Sequence, residues 1–189
     1  MPNEIMIKAM KLKDSRKYEE AIEILENYLK DDPDNSKFLK EVGKLYARCD
    51  RYEEAIENFK KVEKLASKDI EARRYLGTLY LKIGEKNEAI IEFQRVVEIA
   101  PTDLEGYINL ANAYREVEMY EEAINTFKHI LEINKDYSYG HNGIGLSYMK
   151  IGDYENAIKH FSTIVEKNLT GGLVKEAISN IKKCEELMK

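Results

Sequence analysis

Alanine recurs in this chain at a fixed interval of 34 residues: Ala21, Ala55, Ala89, Ala123 and Ala157. An isoleucine follows each one (Ile22, Ile56, Ile90, Ile124 and Ile158). Four residues after the alanine come Leu25, Phe59, Phe93, Phe127 and Phe161. A fixed period of this kind means one supersecondary unit copied in tandem. Each copy is too small to bury its own apolar face, so neighbouring copies must stack. A stack presents a long surface rather than a deep pocket, which makes binding the first functional reading.

Other columns share the period. One reads Ala9, Gly43, Gly77, Ala111, Gly145, and three residues later comes Leu12, Tyr46, Tyr80, Tyr114, Tyr148. The copies are residues 2–35, 36–69, 70–103, 104–137 and 138–171, with no insertion or deletion between them. Within the third copy, Leu76, Leu79, Tyr80 and Ile83 recur at helical steps, and so do Ala89, Ile90, Phe93, Val96 and Val97. Strands would alternate every second residue, so two amphipathic helices per copy are expected. Gly84 and Gly152 supply the left-handed residue that ends a helix. Pro33 and Pro101 mark helix ends between copies. The small residues of the first helix let the second approach closely.

On these residues the chain resembles the tetratricopeptide repeat (TPR) family. Leu76-Gly77, Tyr80, Ala89, Phe93, Val96 and Pro101 follow the family pattern in order, and the likeness covers about nine-tenths of the chain. The resemblance implies an all-α, right-handed α-solenoid superhelix of five helix–turn–helix units. The family's early tryptophan is absent, its column holding Ile5, Leu39, Arg73, Tyr107 and His141. Its proline is replaced at Ser67, Lys135 and Leu169.

The resemblance also implies that the first helices line a concave groove. Nine groove positions are cationic: Lys13, Lys37, Lys40, Lys44, Arg48, Arg74, Lys82, Arg115 and Lys150. Five are acidic: Asp14, Glu41, Glu71, Glu105 and Glu116. That excess of four sits in a chain of net charge −5. A basic strip in an acidic protein focuses field toward an acidic peptide; equally, lysines and arginines can simply solubilise a helix face. Asn109, Asn112 and Asn142 can each donate and accept to an extended backbone. The expected peptide-binding residues are therefore Lys37, Lys40, Lys44, Arg48, Arg74, Tyr75, Asn109, Asn112, Arg115 and Asn142. The family's clamp for chaperone C-termini does not carry over: Lys44 and Tyr75 stand where it needs asparagines.

The ends differ from the middle. Residues 172–189 form an amphipathic helix read as a C-terminal cap, with Leu173, Val174, Ala177, Ile178, Ile181, Cys184, Leu187 and Met188 on one face. Gly171-Gly172 provides the turn into it. In the first helix Met6, Ile7 and Met10 read either as an apolar partner patch or as local packing.

No nucleophile–base pair, phosphate loop or paired catalytic carboxylates stand out, so no enzyme is expected. Cys49 and Cys184 share no motif spacing, and His129, His141 and His160 lie apart in sequence, so neither a metal nor any other cofactor is expected. The acidic balance argues against nucleic acid. No segment approaches the length of a bilayer-spanning helix or a signal peptide, which points to a cytoplasmic protein with no direct membrane insertion. The leading reading is a non-enzymatic scaffold or adaptor that binds a protein or peptide, acidic in character. The alternative is a self-assembling scaffold forming homo-oligomers through its terminal helices.

Overall fold

The computed structural model describes residues 2–169 and 172–189. All regular elements among them are α-helices: α1 (Pro2–Asp14), α2 (Tyr18–Leu29), α3 (Ser36–Arg48), α4 (Tyr52–Leu65), α5 (Ile70–Ile83), α6 (Lys86–Ile99), α7 (Leu104–Glu116), α8 (Tyr120–Ile133), α9 (Ser138–Ile151), α10 (Tyr154–Glu166) and α11 (Leu173–Leu187). They group into two compact units, Met1–Ile99 with α1–α6 and Ala100–Lys189 with α7–α11. Within each unit every helix packs on the next along the chain. In the second unit α9 also touches α7 and α11.

The period is written into the backbone. Position 16 and its equivalents all take the left-handed conformation: Arg16 (φ 60°), Asp50 (57°), Gly84 (85°), Glu118 (62°) and Gly152 (83°). The following residue donates its N–H to the carbonyl of the Leu/Tyr column. These bonds are Lys17 to Leu12 (2.9 Å), Arg51 to Tyr46 (3.0 Å), Glu85 to Tyr80 (2.8 Å), Met119 to Tyr114 (2.9 Å) and Asp153 to Tyr148 (3.0 Å). This closing bond satisfies carbonyls left over at a helix end. The glycine signal at Gly84 and Gly152 therefore marked only two of five identical turns. Of the expected Gly171-Gly172 turn, Gly172 is left-handed (φ 73°) and Gly171 lies outside the described residues.

The glycine column explains how close the paired helices come. A Cβ on Gly43 would lie 2.8 Å from the Phe59 ring, on Gly77 2.6 Å from Phe93, and on Gly145 2.7 Å from Phe161. Phe59, Phe93 and Phe161 are fully buried, each such side chain contributing about 1.5–3 kcal/mol. The alanine column is likewise buried throughout.

The family's tryptophan column has a polar solution in two places. Buried Arg73 on α5 donates from Nε and Nη2 to the Ser67 carbonyl at 2.9 and 2.8 Å. Its Nη1 reaches Glu92 on α6 at 2.7 Å and Glu63 on α4 at 2.8 Å. The equivalent His141 on α9, also buried, bonds through Nε2 to the Lys135 carbonyl at 3.0 Å. Its Nδ1 lies 3.2 Å from Nδ1 of His160 on α10. Ser67 and Lys135 occupy the missing-proline column, and Glu92 and His160 are equivalent positions one period-pair apart. One slot thus holds an ion pair in the first unit and an imidazole pair in the second.

Two expectations about the ends change. Met6 is 7 % exposed and belongs to the core of the first unit, with Met10 packed partly against it; Ile7 alone of the three is open, at 57 %. The cause is helix geometry: Met6 lies on the stripe of α1 that also buries Ala9, while Ile7 falls one step round. On α11, Leu173, Ala177 and Cys184 are buried with Val174 and Ile181 beside Ala157, Phe161 and Ile164. Ile178, Leu187 and Met188 stay exposed. The wide apolar face is covered along one side only.

Candidate functional site

In the first unit the first helices of successive pairs carry a continuous ladder of charge. Lys13 on α1 lies 3.8 Å from Glu41 on α3. Glu41 accepts from Lys44 at 2.9 Å, and Lys44 donates on to Glu71 of α5 at 2.6 Å. Glu71 also accepts from Lys40 at 2.9 Å, and Lys40 reaches Asp69 at 2.9 Å. Asp69 is at the same time the N-cap of α5, its other oxygen accepting from the Ala72 N–H. Burial alone lowers the Lys44 ammonium, but bonds to Glu71 and Glu41 outweigh it and hold the group above the ordinary lysine value. Lys40 behaves alike, its burial outweighed by Glu71 and Asp69. Burial pushes Glu71 up, yet the two lysines bring it below the usual carboxylate range.

This ladder corrects the charge reading. Lys40 and Lys44 counted toward a basic strip, but each is bonded to two carboxylates, and Lys13 to one. The reason is spacing: Glu41 lies three residues before Lys44 on one helix face, and Glu71 reaches both lysines from the next first helix. Open positive charge on this face rests more on Lys37 and Arg48, both exposed. Arg74 is half-buried and engaged in an interaction of its own.

Beside the ladder lies an open concavity of about 230 Å³, lined by Lys13, Glu41, Lys44, Ala47, Arg48 and Tyr75. The Tyr75 ring is fixed from below by stacking on Phe59, centroids 4.7 Å apart and planes 5° apart. Lys44 Nζ stands 5.7 Å from its centroid. An aromatic platform, an alanine that leaves room, and a charged rim suit one side chain of a partner rather than a small molecule held on all sides.

The second unit brings Asn112, Arg115 and Lys150 together around an open concavity of about 320 Å³, with Glu116, Glu118 and Tyr120 on its wall. Arg115 Nη1 donates to Asn112 Oδ1 at 3.4 Å, while its Nε is buried without a partner. Burial lowers the Arg115 pKa. Asn109 is half-buried. Asn142 is 8 % exposed with Oδ1 unpartnered, and it does not line the concavity.

Sequence reasoning missed two features. Wider clefts of about 520 and 330 Å³ flank the partly buried bond from Tyr46 to Glu26, with glutamates of α2 and α4 among their lining residues. Arg51 sits over the Tyr46 ring at 4.3 Å and pairs with Glu19 and Glu54. Burial, then the Glu26 bond, pushes the Tyr46 phenol up to about 12. The second is the His141–His160 pair, whose members are 19 residues apart and share no motif spacing. No helix among the described residues is long and apolar enough to cross a membrane.

Comparison with known proteins agrees with this architecture. A family model described as tetratricopeptide repeat matches residues 12–57 and 50–113, and a second of the same description matches 104–137 and 140–166. No curated protein matches the sequence. Among solved structures, MamA protein shares 28% identity over 87% of this chain and 90% of its own, with a TM-score of 0.81. A tetratricopeptide repeat protein from Parabacteroides merdae ATCC 43184 superposes with a TM-score of 0.86 at 18% identity, over 98% of this chain and 73% of its own. YrrB, described as a TPR protein with an unusual peptide-binding site, gives a TM-score of 0.72 at 21% identity, over 84% and 81%. The repeated closing bonds, the glycine–phenylalanine contacts and the two family models together place this chain in the tetratricopeptide repeat family.

Proposed function

We propose that this chain is a non-enzymatic interaction module that holds a segment of a partner protein against its first-helix faces. The observation that carries the reading is the α1/α3/α5 face, where a preorganised charge ladder borders an open concavity floored by Tyr75 and Ala47. Groups already fixed in place lose little entropy on binding. In this reading Tyr75 makes an apolar contact, Arg48 and Lys37 draw in a carboxylate, and Lys40 and Lys44 shape the face through their ladder. In the second unit Asn112, Arg115 and Lys150 offer polar contacts. A partner of partly acidic character fits this arrangement, and affinity in the micromolar range, about −8 kcal/mol, is expected. The YrrB description shows that a peptide site can be built on this fold.

A double variant tests the reading. Arg48→Glu with Tyr75→Ala should release proteins that the intact chain retains from its host lysate, while Lys61→Glu on α4 should release none. Added salt should weaken retention, because the rim charges are exposed and screened. Identical captured sets from all three proteins would sink the proposal.

A second reading, self-assembly through the terminal helices, is favoured by exposed Ile7 on α1 and exposed Ile178, Leu187 and Met188 on α11. Light scattering across a concentration series decides it, with Leu187→Glu expected to abolish any growth in mass.

A further inference from the structure

The slot shared by α5/α6 and α9/α10 is filled by opposite charges in one place and by two imidazoles in the other. Arg73 and Glu92 complete each other. His141 and His160 instead bring two ligand nitrogens together at 3.2 Å. With nitrogen–metal bonds of about 2.0–2.1 Å, a tetrahedral angle separates two ligand nitrogens by roughly 3.3 Å and a right angle by roughly 2.9 Å. The observed separation falls between these values.

We infer that His141 and His160 form a two-imidazole site for a divalent transition metal of borderline softness, Cu2+ held most tightly and Ni2+ and Zn2+ less so. Two observations support it besides the separation. The pair is mounted on two packed helices, so its geometry is fixed before any metal arrives. His141 gives its Nε2 to the Lys135 carbonyl at 3.0 Å. In the neutral ring this bond puts the proton on Nε2 and leaves Nδ1 as the ligand atom, the outer-shell arrangement that orients metal-bound histidines.

Without metal, His160 donates its Nδ1–H to His141 Nδ1. Binding moves that proton through solvent to His160 Nε2, freeing both Nδ1 atoms and releasing none to bulk. Lys128 and Lys159 make the local field unfriendly to cations, so the metal must be held by bonding. Imidazole suits copper, nickel and zinc in the Irving–Williams order, while Mg2+ and Ca2+ prefer oxygen ligands and are excluded. Water completes the coordination on the half-buried His160 side.

The test titrates the full chain with Cu2+, Zn2+ and Mg2+ in separate experiments. Thermal unfolding is followed throughout, and Cu2+ is also followed by electron paramagnetic resonance. One equivalent of Cu2+ should raise Tm and show coupling to two nitrogens, and Mg2+ should do neither. His141→Gln and His160→Gln should each weaken Cu2+ binding on the order of tenfold or more, and His129→Gln should change nothing. Should a single variant fail to fold, the double change His141→Arg with His160→Glu copies the α5/α6 pair, keeps the slot filled and must abolish the signal. Binding that survives in the His160→Gln or double variant, or that follows His129, overturns the site.

Discussion

The two polar slots of this protein occupy equivalent positions and solve the same problem with different chemistry. Each replaces an apolar tryptophan with a side chain that donates to the carbonyl six residues back. In α5/α6 the remaining polarity is charged: Arg73 between Glu63 and Glu92. In α9/α10 it is a pair of imidazoles with their Nδ1 atoms 3.2 Å apart. A repeat array can therefore hold its packing constant while changing what the slot responds to. The ionic slot should be sensitive to deletion and the imidazole slot to acid.

Deletion gives the largest expected difference. Arg73→Gln leaves Glu92 and Glu63 close together without their cation. Removing one partner of a buried pair strands the other charge and costs about 3 kcal/mol or more. His141→Gln keeps a polar group beside Lys135 and strands no charge, so about 1 kcal/mol is expected. Urea unfolding of both variants measures the contrast. Equal losses would show that the ionic slot carries no special weight.

Acid should reverse the order. An unfolded imidazole takes up its proton near pH 6.5, while folded His160 does so only near about 4. Between those values the unfolded chain binds more protons, so stability falls as pH drops, by on the order of 3 kcal/mol in total. Glu92 runs the other way. Burial, then Glu63, raises its pKa despite Arg73. The folded state therefore takes up its proton first as pH falls, which favours folding. Amide exchange from pH 7 to 5 should show protection lost in α9 and α10 and retained in α5 and α6. His160→Gln should remove the dependence, and parallel losses in both places would break the comparison.

The two units also differ at the face proposed to hold the partner. Tyr75 stacks on Phe59, but the equivalent position in the second unit is Gly143, and its partner is Phe127. A Cβ on Gly143 would lie 2.3 Å from the Phe127 ring, and Phe127 is 2 % exposed with little room to yield. Gly143→Ala should cost about 1–3 kcal/mol by overpacking. Tyr75→Ala should cost less stability, since Tyr75 is only half-buried, while taking the floor out of the concavity. A thermal melt of Gly143→Ala within error of the parent would mean that α9 can shift to accommodate the methyl.

How much of this was legible in the sequence follows from the range of each interaction. The helix pairs and their core were, because alanine, glycine and phenylalanine columns record contacts that every copy repeats. The charge ladder was not: Glu71 pairs with Lys40 and Lys44 from a neighbouring copy, and counting charges by column cannot show who neutralises whom. The His141–His160 pair escaped for the same reason, since no motif joins residues on two helices of one copy. Met6 and Ile7 are adjacent in sequence yet face core and solvent, a difference of one helical step.

The smallest effect tests the turns that all copies share. Glu118 takes the left-handed conformation that Gly84 and Gly152 occupy at no steric cost. For a residue with a Cβ that conformation costs about 1–2 kcal/mol, and glycine gives back part of the gain, roughly 0.5–1 kcal/mol, through its freer unfolded chain. Glu118→Gly should therefore raise stability by about 0.5 kcal/mol, and Gly84→Ala should lower it by about 1 kcal/mol. Asp50 should gain less than Glu118 from the same change, because its short carboxylate tolerates the left-handed region better. Urea midpoints of the three variants give the ranking. If Glu118→Gly destabilises, the Glu118 side chain contributes more in this turn than its backbone costs, and the shared turn is held differently in the two units.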